Sequence, residues 1–118
     1  MNATQTIEAI NEHLDSTPFD FVARLELADL YEEQGIRSIS MLPALQRWMA
    51  ANEKCPAHIV TRVACYWRWC DEIDAIIRKS PFAKIARKGS PAGYYRTRKD
   101  AEMAAAIALR AIGRLGNA

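Results

Sequence analysis

Apolar residues in this chain recur at spacings of three and four, and helix-breaking residues cut the pattern into short lengths. That combination points to several short amphipathic helices packed together. Ile7, Ile10 and Leu14 form the first set, with Thr4 or Thr6 placed to cap the free amides of a helix that ends by Ser16. Ser16-Thr17-Pro18 breaks this pattern and starts the next, with Thr17 as N-cap, Pro18 at the first helical position and Asp20 in the first turn. The second helix runs to about Gln34. Its expected buried stripe is Phe21 or Val22, Leu25, Ala28 and Leu30 or Tyr31, with Glu26, Asp29, Glu32 and Glu33 in water and Gly35 as the left-handed residue beyond its end. Ser40 is placed to cap a third helix, Met41 to about Asn52, which buries Leu42, Leu45 and Met49 beside Trp48, and Cys55-Pro56 stops it.

Residues 57 to 79 admit two readings. Ile59, Val63, Tyr66, Cys70, Ile73 and Ile77 carry the spacing of one face of a long helix. The same stretch is dense in β-branched and aromatic residues, and Val63, Cys65, Trp67 and Trp69 alternate with Arg62, Ala64, Tyr66 and Arg68 as in a strand. The strand reading, 61 to 69, followed by a helix from about Asp71 with Asp71, Glu72 and Asp74 in its first turn, is carried forward. Ser80-Pro81 then starts a short helix that Gly89 closes, Tyr94-Tyr95-Arg96 forms a brief strand pairing with Trp67-Trp69, and Thr97 caps a last helix. That helix buries Ala101, Ala104, Ala108, Ile112 and Leu115, and Gly116 ends it.

The expected fold is mainly α: one domain over residues 1–118, a bundle of about five or six helices with at most a short two-stranded antiparallel β ribbon from residues near 62 to 69 and 93 to 96. At 118 residues the chain has room for one core. No apolar run approaches the roughly 18 residues that span a bilayer, and the first residues lack a basic stretch followed by an apolar one. A cytoplasmic protein without membrane partners is expected.

The net charge of +2 hides an asymmetry. Residues 1–53 carry three basic and nine acidic side chains, and residues 54–118 carry thirteen basic and five acidic, so an acidic helical half precedes a basic half. Between Asp74 and Asp100 the chain has eight basic residues and no acid.

Arg24-Leu25-Glu26-Leu27-Ala28-Asp29-Leu30-Tyr31-Glu32-Glu33-Gln34-Gly35 resembles the R-L-x-x-A-D-x-x-E-E-x-G helix of a short domain often called a repeat-companion domain, found in many planctomycete and some phage-borne proteins. The similarity continues loosely through Ala44 to Met49 and so covers residues 18 to 53. It implies a helix-turn-helix pairing there and brings no activity or catalytic residue with it. Leu27-Ala28-x-x-Tyr31-x-x-x-Gly35 also looks like the first helix of a tetratricopeptide unit, but there is one copy where arrays need about three.

Signatures of catalysis are sparse: the sequence has no G-x-S-x-G, H-E-x-x-H, phosphate loop or G-x-G-x-x-G. His13 sits on a polar helix next to Glu12 and reads as a solvated side chain. Cys55, His58, Cys65 and Cys70 are four donors of the kind zinc takes, but their spacing matches no common finger, and Cys65 and Cys70 fall where the pattern wants small buried residues. Asp71, Glu72 and Asp74 are explained by a helix start without a divalent ion. No catalytic residue, metal or cofactor is therefore expected.

The basic run with aromatic neighbours is the best candidate for function. Arg78, Lys79, Lys84, Arg87, Lys88, Arg96, Arg98 and Lys99 suit phosphates, and Tyr94 and Tyr95 suit stacking on bases. The reading is a small non-enzymatic protein, of phage or mobile-element type, that binds a nucleic acid or nucleoprotein. The alternative is a protein-interaction adaptor or phage-type inhibitor acting through Asp29, Glu32 and Glu33, or a head-to-tail pairing in which the acidic and basic halves meet.

Overall fold

The computed structural model describes residues 2–36, 43–52, 61–83, 91 and 93–115. Among them the chain is mainly helical: α1 (Ala3–Ser16), α2 (Phe21–Glu33), α3 (Pro43–Ala51), α4 (Asp71–Arg78) and α5 (Arg98–Ala111), with one hairpin of β1 (Thr61–Val63) and β2 (Tyr66–Arg68) between α3 and α4. No helix among the described residues is long and apolar enough to cross a membrane.

The helix caps explain where the sequence reading was shifted. Asn2, not Thr4 or Thr6, caps α1, its Oδ1 accepting from the Gln5 N–H at 2.9 Å while the Gln5 side chain accepts from the Asn2 N–H at 3.0 Å. Thr17 does not open α2, because its N–H donates back to His13 O at 2.8 Å and closes α1. Asp20 takes the capping role, accepting from the Ala23 N–H at 3.0 Å, so α2 begins three residues after Pro18. The buried face of α2 is correspondingly Ala23, Arg24, Leu27, Ala28 and Tyr31, while Val22 and Leu25, expected in the stripe, point to water. Gly35 ends the turn after α2 at φ +62°, as its type requires.

The stretch expected as one strand is a hairpin. Thr61 pairs with Arg68, Arg62 with Trp67 and Val63 with Tyr66, and Ala64 makes the reversal at φ 55°. The ribbon therefore forms within residues 61–68, and residue 95 adds a bridge to it: the Trp67 N–H donates to Tyr95 O at 2.8 Å and the Tyr95 N–H to Trp67 O at 2.9 Å. Because the turn falls at residues 64 and 65, Cys65 is exposed, against the expectation of a small core side chain. Asp71, Glu72 and Asp74 open α4 as expected. Thr97 caps α5, accepting from the Asp100 N–H at 3.0 Å. That helix stops at Ala111, short of Gly116, because Gly113 at φ +74° turns the chain so that Leu115 is buried while Ile112 is exposed. Ser40 and Leu42 lie outside the described residues, as does most of the short helix expected after Pro81.

The alanine face of α5 is the floor of the larger apolar cluster. Ala101, Ala104, Ala105 and Ala108 let Leu45 and Met49 of α3, Trp67 and Trp69 of the hairpin, Ile73 and Ile77 of α4, and Tyr95 come close, and the Trp69 indole N–H donates to Ala101 O at 2.8 Å. Ile7, Leu14, Ala23, Leu27 and Tyr31 form a second cluster between α1 and α2. A buried polar network joins the helices. Glu102 accepts from Arg24 and, four residues away on its own helix, from Arg98. Arg24 also donates to Gln46 Oε1 at 2.8 Å and to Pro18 O at 3.0 Å, and Arg98 to Asn11 Oδ1 at 2.6 Å and Asp15 Oδ1 at 3.0 Å. Two guanidiniums thus meet two carboxylates, which offsets the cost of removing these charges from water.

Candidate nucleic-acid interface

Two features aim cations at one spot. In an antiparallel hairpin directly paired residues share a face, so the pairing of Arg62 with Trp67 sends Arg62 to the side of the sheet on which Trp67 meets the core. The Trp67–Tyr95 bridge then fixes the chain just before α5, so that Arg96 and Thr97 lie beside Arg62. Together with Asp15, Trp67 and Arg98 they line a hollow of about 190 Å³. Arg62 and Arg96 are exposed and neither forms an ion pair among the described residues. Arg98 and Asp15 bind each other. Arg98 is already balanced by Asp15 and Glu102, so the two guanidiniums of Arg62 and Arg96 leave the hollow positive, and it sits at the N-terminus of the 14-residue α5, where the helix dipole favours an anion.

The opposite face of β2 adds an aromatic element. The Tyr66 and Tyr94 rings meet edge-on with centroids 5.9 Å apart, and the Arg68 guanidinium lies 5.8 Å from the Tyr94 centroid. Arg68 is held there by Asp71 at 2.9 Å. Tyr66, Arg68 and Tyr94 are each half-buried.

The residues singled out in the basic run divide by burial. Arg96 is exposed at the hollow, and Lys99 is half-buried in the first turn of α5. Tyr95 and Arg98 are buried, and this corrects their reading as groups available to a nucleic acid: Tyr95 is packed in the apolar cluster and Arg98 is spent on Glu102, Asn11 and Asp15. Arg78 is exposed and pairs with the buried Asp74 at 2.7 Å, and Lys79 is exposed beside it. Asp74 in turn lies against Gly93, where an added Cβ would be 3.6 Å from its Oδ1, so the first turn of α4 borders the Tyr94 segment. Lys84, Arg87 and Lys88 lie outside the described residues. Arg62, Arg68 and Tyr66 were missed as site residues. The alternation of residues 62, 64, 66 and 68 placed them on one face, but the turn at Ala64 sends Arg62 to the other side.

On the acidic half, Asp29 and Glu32 are exposed and both bind Arg47, the former at 3.0 Å, which holds the guanidinium above its ordinary pKa. Glu33 is exposed. His13 is half-exposed, and its Nε2 lies 2.7 Å from Asp20 Oδ2. This pair works as a brace between α1 and α2, since Asp20 is engaged at the Ala23 N–H and the nearby Thr6 hydroxyl donates to Asn2 O at 3.1 Å, away from the imidazole. Among the described residues no group of three or more His, Cys, Asp or Glu side chains is placed to hold a metal. Cys55 and His58 lie outside them, and Cys70, half-buried, is the residue before α4.

In comparisons with known proteins, no family model, no curated protein and no solved structure matches this chain.

Proposed function

We propose that this chain is a non-enzymatic protein that binds the phosphate backbone of a nucleic acid through the hollow between the hairpin and the start of α5. The observation that carries this reading is the convergence of Arg62 and Arg96, two exposed guanidiniums without ion-pair partners among the described residues, at one helix N-terminus. Arginine gives phosphate two parallel hydrogen bonds, and the dipole of α5 adds to the attraction. Lys99, in the first turn of α5, extends the positive surface along the backbone of the ligand. Tyr94 presents its ring beside Arg68, while Tyr95 contributes only to the fold. Contacts of this kind fix the register of the ligand and read little sequence, so similar affinity for unrelated sequences is expected.

Titration of labelled single-stranded and duplex oligonucleotides, DNA and RNA, tests the reading. Arg62→Ala and Arg96→Ala should each weaken binding, and Lys99→Ala should weaken it less. Wild-type protein with no affinity at low salt, or variants that bind as well as wild type, would overturn it.

The adaptor reading has its own support. Arg47 pairs with both Asp29 and Glu32 and offsets one of their two charges, but α2 and the turn before it expose Phe19, Val22 and Leu25, which makes this face adhesive as well as acidic.

A further inference from the structure

Six large hydrophobic side chains are exposed among the described residues, and five of them fall into two patches of opposite charge. The first lies on α2 and the turn before it. Phe19, Val22 and Leu25 follow one another at a spacing of three, Val22 is 77% exposed, and Val22 borders a groove of about 420 Å³ between α1 and α2. Glu26 stands on the rim of that groove without an ion-pair partner among the described residues. The second patch lies where α4 meets the end of α5. Phe82 is 70% exposed and Ile112 56%, and Phe82 stands between two hollows of about 170 and 400 Å³ whose walls include Ile76 and Ile107. Its rim is basic: Lys79 lines one hollow and Arg110 the other, and neither has an ion-pair partner among the described residues.

We infer that the two patches are the two halves of one interface, through which copies of this chain associate head to tail. Each patch offers what the other lacks: a projecting phenyl ring in a basic surround on one side, and an apolar groove with an acidic rim on the other. The charges select this pairing over its alternatives. A two-fold dimer through either patch alone would set Glu26 against Glu26, or Lys79 and Arg110 against their own copies, and like charges at an interface are unfavourable. Head to tail, Phe82 enters the groove between α1 and α2 of the next copy and Lys79 and Arg110 approach Glu26. Because the two surfaces differ, a dimer keeps one free patch at each end, and assembly continues until it closes into a ring or runs on as a filament. Neither patch shares a residue with the hollow at Arg62 and Arg96, so the inference stands independently of the nucleic-acid reading.

Sedimentation velocity on the intact chain over a range of concentrations, at low and high salt, tests it with Val22→Asp and Phe82→Asp. Both positions are exposed, so both variants keep the fold, which circular dichroism verifies. Wild-type protein is expected to gain mass with concentration and to lose it with salt. Each variant alone should be monomeric, its association weakened by at least about 30-fold, the effect of removing a central interface anchor. An equimolar mixture of the two should form a dimer and nothing larger, since Val22→Asp retains an intact basic patch and Phe82→Asp an intact acidic one. Wild-type protein that stays monomeric at millimolar concentration would overturn the inference and assign the patches to other proteins. Association that survives either substitution, or variants that fail to complement one another, would overturn it equally.

Discussion

Glu102 is the residue on which most of the polar core depends. It accepts from Arg24, which is 78 positions away, and from Arg98 on its own helix, and through them it reaches Gln46, Asn11 and Asp15. Removing one partner of a buried pair leaves the other uncompensated, so Glu102→Ala should cost about 3–5 kcal/mol, read from urea unfolding. Replacing the ionic side chains of Arg24, Arg98 and Glu102 together by apolar ones of similar volume should cost much less, and a single-variant loss below about 1 kcal/mol would contradict this view of the network. Asp20 gives a second test. The Ala23 N–H, followed by the hydrogen bond to His13, holds its carboxyl below the ordinary value of 3.8. A lowered folded-state pKa means stability that is full above pH 3.8 and is lost as pH falls through the folded value. Asp20→Asn keeps the cap without the titration, so thermal melts should show wild type losing stability relative to this variant below about pH 4. A constant difference would contradict the assignment. Residue-level legibility was lowest here. The charge run Arg78 to Lys99 is visible in the sequence, but nothing local distinguishes Arg98, whose partners lie on α1 and one turn along α5, from the exposed Arg96 two positions earlier.

At the scale of elements, punctuation was legible and register was not. Gly35 beyond α2, the acidic first turn of α4 and the Thr97 cap of α5 stand where local chemistry put them, because each depends on residues within one turn. The buried face of α2 was centred on Leu25 in place of Arg24 and Leu27, because the burial of Arg24 follows from a glutamate on another helix. The hairpin was read as one strand because Ala64, which makes its turn, is not a residue type associated with positive φ. That position carries a prediction. A left-handed alanine costs roughly 1–2 kcal/mol, partly offset by the flexibility glycine adds to the unfolded chain, so Ala64→Gly should stabilise the protein by up to about 1 kcal/mol in urea unfolding. Destabilisation would mean that the turn is not formed as described.

Across the whole molecule the acidic and basic halves of the sequence become distinct surfaces on one α5-centred fold. Part of the charge is consumed internally: Arg24 and Arg98 in the core, Arg47 on Asp29 and Glu32, and Arg78 on Asp74. What remains exposed and free of ion pairs among the described residues includes Arg62 and Arg96 at the hollow, Lys79 and Arg110 at one apolar patch, and Glu26 at the other. The candidate site was therefore half legible, since Arg96 stood in the basic run, whereas Arg62 joined it only through the hairpin and the Trp67–Tyr95 bridge. The central claim is that the hollow binds phosphate, and the salt dependence of affinity tests it most directly. Each phosphate contact contributes about 0.7 to 0.9 to the slope of log affinity against log salt, the lower figure for single strands. The double variant Arg62→Ala with Arg96→Ala should therefore flatten the wild-type slope by about 1.4 to 1.8 while its dichroism spectrum stays unchanged. An identical slope in wild type and double variant, or no salt-dependent binding in either, would contradict the account.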